Sequence, residues 1–138
     1  MKNKVDVTWT EEMSFDAHVN GHTVVIDAEE SVGGRDLGPR PKALTLVSLG
    51  GCTAMDVISI LKKMRVKPDA FRVEVEGELT EEHPKYYHYI KLYFIFKGKD
   101  LPMDKIEKAI NLSETRYCGV TAMLEKAAKI EHEIIIEE

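Results

Sequence analysis

Apolar positions recur with a period of two along the first part of the chain and with a helical period through its middle. Val5, Val7 and Trp9 share one face of a predicted strand over residues 4–9. Met13, Phe15, Ala17 and Val19 share a face in the next run, and Val24 with Ile26 follow. Asn20-Gly21 separates the last two runs. Both residues of such a two-residue turn take positive φ, which Asn and Gly tolerate, so the N-terminal third is predicted as a three-stranded antiparallel meander.

Residues 41–64 carry the longest helix-compatible pattern, PKALTLVSLGGCTAMDVISILKKM. Leucines, valines, isoleucines and methionines occupy nearly its whole circumference. A surface helix needs a wider polar face, so this one is predicted to be buried at the centre of the fold. The polar residues that remain, Thr45, Ser48, Cys52, Asp56, Ser59 and Lys63, follow at spacings of three or four and share one stripe. Gly50 and Gly51 each weaken a helix interior by ~1 kcal/mol relative to alanine. Their presence predicts that another backbone or a substrate approaches here.

Residues 28–40, AEESVGGRDLGPR, form a long loop in which Arg35 and Arg40 are the cations. After the helix, Phe71, Val73, Val75 and Leu79 alternate with Arg72, Glu74, Glu76 and Glu78, a half-buried strand. Residues 86–97 are covered on both faces by their pattern and are predicted to be central. Helical periodicity returns over residues 101–116 and 118–128, and Ile130, His132, Ile134 and Ile136 form a last strand. The order does not repeat βαβ. It predicts an α+β fold of antiparallel sheets around a long buried central helix, in a single domain over residues 1–138.

The net charge of −5 argues against nucleic acid or an anionic membrane as partner, since both select basic patches. No signal peptide is seen in MKNKVDVTW, and polar residues interrupt the apolar stretch 43–61, so the chain is expected to be soluble and cytoplasmic. Two cysteines in such a chain are better explained as a redox pair than as a structural staple.

Cysteine attacks as the thiolate, which requires a cation, a helix N-terminus or hydrogen-bond donors nearby. Cys52 lies mid-helix, so its cation is expected from the loop bearing Arg35 and Arg40. Cys118 precedes a short predicted helix, a favourable place for a thiolate. The bland alternative is that Cys52 is a small buried hydrophobe. The five histidines lack the spacing of a metal site: His18 and His22 flank the Asn-Gly turn, and no Cys-x-x-Cys or His-Glu-x-x-His occurs, so no metal is expected. Neither a Gly-x-Ser-x-Gly elbow nor a phosphate loop is present.

Pro41-Lys42-Ala43-Leu44, Leu49-Gly50-Gly51-Cys52 and Tyr117-Cys118-Gly119-Val120 together resemble the Ohr/OsmC family, and the order of elements resembles it over almost the whole chain. The resemblance implies an intertwined homodimer with two active sites at its interface. It also implies a thiol peroxidase, in which Cys52 attacks an organic hydroperoxide and Cys118 resolves the sulfenic acid as a disulfide. An external dithiol then reduces that disulfide, with no bound cofactor. Arg35 is the implied activator, with Arg40 its rival, and Arg40, Leu49 and Met55 are the candidate binding residues. The apolar helix and aromatic strand point to a small hydrophobic hydroperoxide. One departure stands out. The peroxidases of the family usually carry a glutamate two residues after the proline, where it holds the arginine, and here that position is Ala43. Asp36, Glu29 and Glu30 are the candidate substitutes. The second reading is an OsmC-like protein that binds an apolar ligand or runs another thiol redox reaction.

Overall fold

The Asn20-Gly21 turn has the backbone its sequence requires, with φ of 52° at Asn20 and 79° at Gly21. It joins β2 (Ser14–Val19) to β3 (His22–Ile26), and β1 (Asp6–Glu11) pairs with the other edge of β2, giving an antiparallel sheet in the order β1-β2-β3. The computed structural model describes residues 1–138, and its contacts divide them into two compact units, Met1–Thr45 and Leu46–Glu138. In the first unit the loop after β3 holds a short 3-10 turn, Glu30–Val32. The buried carboxylate of Asp27 organises this loop by accepting from the backbone N–H groups of Ala28, Arg35 and Leu37. Burial alone pushes the Asp27 carboxyl up, but these donors and the Arg35 charge outweigh it and hold the group below its ordinary value.

The helix α1 (Pro41–Lys63) begins in the first unit and runs through the second. Strands β4 (Ala70–Leu79), β5 (Tyr87–Lys97) and β6 (Lys129–Glu137) form a sheet in the order β4-β5-β6. As predicted, β5 is central, and Ile90, Leu92, Phe94, Ile95 and Phe96 on it are buried. One pairing departs from the antiparallel expectation: β6 runs parallel to β5. Parallel neighbours need a long crossover, and here it contains α2 (Met103–Leu112), a π-turn (Ser113–Tyr117) and α3 (Gly119–Leu124). Ile106, Ala109 and Ile110 of α2 join Leu49, Val57 and Leu61 of α1 and Ile90, Leu92, Phe94 and Phe96 of β5 in one core. Full burial of such a side chain contributes ~1.5–3 kcal/mol.

The expectation that α1 is buried all round needs correction. Its buried residues are Leu49, Gly50, Thr53, Val57 and Leu61, a stripe at helical spacing. Val47, Met55 and Ile58 are exposed, Met55 at 73%. A three-stranded sheet covers one face of a helix, so the apolar residues of the other face remain uncovered in the single chain. The two glycines also differ. A Cβ at Gly50 would lie 2.9 Å from Cγ2 of Val75, whereas one at Gly51 would meet nothing within 4 Å. Close approach therefore explains Gly50, and it comes from a β4 side chain rather than from backbone.

Candidate functional site

The tertiary fold of the second unit brings Cys52 and Cys118 together. Cys52 is half-buried on α1, and Cys118 is 3% exposed. The chain reaches Cys118 through the π-turn, where it leaves helical geometry (φ −77°, ψ 102°) to cap α3. The Thr121 N–H donates to the Cys118 Sγ at 3.3 Å. The Thr53 hydroxyl lies 3.6 Å from the same sulfur and 2.9 Å from the Leu49 carbonyl, so a single proton serves two acceptors. Asp56, one turn after Cys52, accepts from the buried Ser113 hydroxyl at 3.0 Å, and the Cys118 N–H donates to the Ser113 carbonyl at 2.8 Å. Ser113 thus ties α1 to the segment that carries Cys118. The thiol sulfurs of Cys52 and Cys118 and a carboxylate oxygen of Asp56 all lie within 4.8 Å of one another.

The two thiols divide the charge unequally. Burial raises the Cys52 pKa, and so do its hydrogen bond to Cys118 and the nearby Asp56 charge, against one backbone donor at Val120. Burial also pushes Cys118 up, but the Thr121 hydroxyl, the Cys52 thiol, the Thr121 N–H and Thr53 outweigh it and bring the Cys118 pKa down. In the reduced chain the favoured thiolate is Cys118, with the Cys52 S–H as one of its donors. That agrees with the favourable setting its sequence context predicts.

Arg35 and Arg40 lie in the first unit and have partners there. The Arg35 guanidinium sits 3.1 Å from Glu11 and 3.5 Å from Glu12. Neither carboxylate was among the candidate substitutes for the residue absent at Ala43. They come from the β1–β2 hairpin, more than twenty positions upstream, where no local spacing could reveal them. Asp36 instead pairs with Arg40 at 2.7 Å, and Arg40 also donates to the Gly38 carbonyl. These pairs are exposed, so each contributes roughly 0–1 kcal/mol. Leu49 is fully buried in the core, while Met55 projects from the uncovered face of α1.

Two further features involve Asp56 and the π-turn that leads to Cys118. A cavity of about 480 Å³ is lined by Asp56, Ser59, Ile60, Lys63, Leu112 and Tyr117. Glu114 of the π-turn puts a buried carboxylate oxygen 2.7 Å from Nδ1 of His132 on β6, outside the alignment of a regular hydrogen bond. His132 also meets the Phe94 ring edge-on. The close Glu114 carboxylate, against burial, and the charge of Glu107 raise the His132 pKa above its ordinary value.

Residues 33–133 match the family described as OsmC-like protein. Protein YhfA of Escherichia coli K12 is 37% identical over 127 residues, which cover 91% of this chain and 92% of that protein. A hypothetical protein from Aquifex aeolicus VF5 has a crystal structure that superposes with a TM-score of 0.83 at 30% identity, covering 100% of this chain and 99% of that one. The organic hydroperoxide resistance protein OhrB of Bacillus subtilis shares the fold with a TM-score of 0.64 at 14% identity, over 97% of this chain and 98% of its own.

Proposed function

This chain belongs to the OsmC-like protein family, and from that premise we propose that it is a cytoplasmic thiol peroxidase acting on small hydrophobic hydroperoxides. The observation that carries the reading is the convergence of the two thiols, with donors around one and partial access to the other. Cys52 is the sulfur a peroxide reaches. Its proton passes to the Cys118 thiolate, and the Cys52 thiolate attacks the terminal oxygen of the hydroperoxide. The O–O bond breaks, the alkoxide takes up a proton and leaves as an alcohol, and Cys52 becomes a sulfenic acid. Cys118 displaces water from that sulfenic acid and forms the disulfide. The net reaction consumes two thiols and one hydroperoxide and gives disulfide, alcohol and water. An external dithiol then restores the thiols.

Arg35 is assigned the role of activating the peroxide, with Glu11 and Glu12 taking over the work of the carboxylate missing at Ala43. The working form is a homodimer, a reading supported by the uncovered apolar residues Val47, Met55 and Ile58 on α1 and Val7 and Trp9 on β1. Stopped-flow oxidation with cumene hydroperoxide should consume two thiols per chain, faster than with hydrogen peroxide. No thiol loss with either oxidant would end the proposal. The binding-protein alternative draws on the cavity beside Asp56. It predicts that a Cys52→Ser variant keeps its affinity for an apolar ligand.

A further inference from the structure

We propose that Cys52, Asp56 and Cys118 form a binding site for a soft divalent cation of the zinc class, and that metal and peroxide compete for the same two sulfurs. The binding half stands on geometry. The competition half rests on the peroxidase reading.

Two thiolates and a carboxylate match zinc's preference for sulfur mixed with harder ligands, with a fourth position left for water. Cys52 and Asp56 are four residues apart on α1, which sets both on one face, and Cys118 arrives from the π-turn. Tetrahedral bonds to zinc place donor atoms roughly 3.5–3.8 Å apart. The three donors already lie within 4.8 Å of one another, so rotation of the two half-buried side chains, Cys52 and Asp56, closes the difference.

The surroundings also meet what a metal site needs beyond its ligands. Ser113, itself fully buried, fixes the Asp56 carboxylate through its hydroxyl. Thr121 N–H and the Thr53 hydroxyl orient the Cys118 sulfur. Such outer contacts hold ligands in place at metal centres. Of the three donors Asp56 lines the cavity, so the carboxylate side of the site faces open space. Lys63 lines the same cavity about two turns further along the helix, with no ion pair to Asp56. Binding holds both sulfurs as thiolates and releases to solvent any thiol proton they still carry. If hydroperoxide then oxidises the bound thiolates, two protons enter, the O–O bond breaks, the S–S bond forms, and alcohol, water and free metal leave.

Titration of the reduced full-length chain with Zn²⁺ against a chromophoric chelator should give one site per chain. Co²⁺ should show sulfur-to-metal charge transfer together with the strong visible bands of tetrahedral coordination. Asp56→Asn should weaken binding about tenfold or more, and Ser113→Ala about tenfold. Wild-type chain oxidised with diamide, which needs no substitution, should take up no metal. Absence of the charge-transfer band, or equal affinity in Asp56→Asn, overturns the three-ligand site. Oxidation of the metal-loaded chain at the metal-free rate, with zinc retained, overturns the competition. Metal binding by a reduced chain whose free thiols ignore peroxide upholds the site and removes the peroxidase reading, whereas peroxide reactivity with no metal uptake does the reverse.

Discussion

The two sulfurs sit a few ångströms apart in very different surroundings. Cys52 is on the fourth turn of a regular helix, where its own N–H is spent on the helix ladder and Asp56 adds a negative charge one turn away. Cys118 is at a break between a π-turn and a short helix, where backbone and hydroxyl donors are free to face a sulfur. Hydrogen-bond donors, led by the Thr121 hydroxyl, outweigh burial here: Cys118 is the more buried of the two and still has the lowered pKa. Access runs the other way, towards Cys52. Under the proposed peroxidase reading, the pair separates the charge from the point of attack, and a proton crosses between them before the peroxide is attacked.

The strongest test of that division removes each sulfur in turn. Cys52→Ser should abolish peroxide consumption, while Cys118→Ser should allow one turnover and leave a sulfenic acid on Cys52 that dimedone traps. Trapping on Cys118 in the Cys52→Ser variant would exchange the two roles. Next in size, Thr121→Val removes the hydroxyl that most lowers the Cys118 pKa. The Cys118 pKa should rise and its thiolate fraction at neutral pH should fall. Thiolate absorbance followed against pH reads it directly.

A third test asks whether the segment carrying Cys118 is held by a titratable pair. His132 has a raised pKa in the folded chain, so its ion pair with Glu114 stabilises fully below the unfolded histidine value, near 6.5. That contribution is lost as pH rises through the raised folded value. Urea unfolding of wild type and His132→Gln should differ by about 1 kcal/mol at pH 6 and converge by pH 9. A constant difference across that range would assign His132 a packing role only. The smallest effect belongs to Asp56→Asn. Loss of the carboxylate charge beside Cys52 should lower its pKa and speed its alkylation by iodoacetamide modestly, about two- to threefold at neutral pH. A slower reaction would mean that the Ser113 contact, and not the charge, governs this thiol.

Much of this arrangement was legible one element at a time. The Asn20-Gly21 hairpin, the doubly covered β5 and the polar stripe of Cys52, Asp56 and Ser59 all follow from patterns within a dozen residues. The helix stop before Cys118 was also readable, from Gly119 and the change of period. The π-turn was not, because its extra residue leaves no mark in an apolar pattern. Ser113 with Asp56, Glu114 with His132, and Glu11 and Glu12 with Arg35 escaped for another reason. Each pair joins residues from different elements, and each member taken alone looks like an ordinary surface polar group.

What the sequence by itself determined is the set of local elements, because turn chemistry and apolar period act over a few residues and leave few alternatives. It also put a thiol on the stripe of α1 and another at a helix start. Only the tertiary structure decided that β6 lies parallel to β5, which faces of α1 stay uncovered, and that the two thiols share a carboxylate neighbour and divide one charge. Those outcomes depend on long-range packing and on electrostatics that fall off within a few ångströms, and distance along the chain carries no record of either.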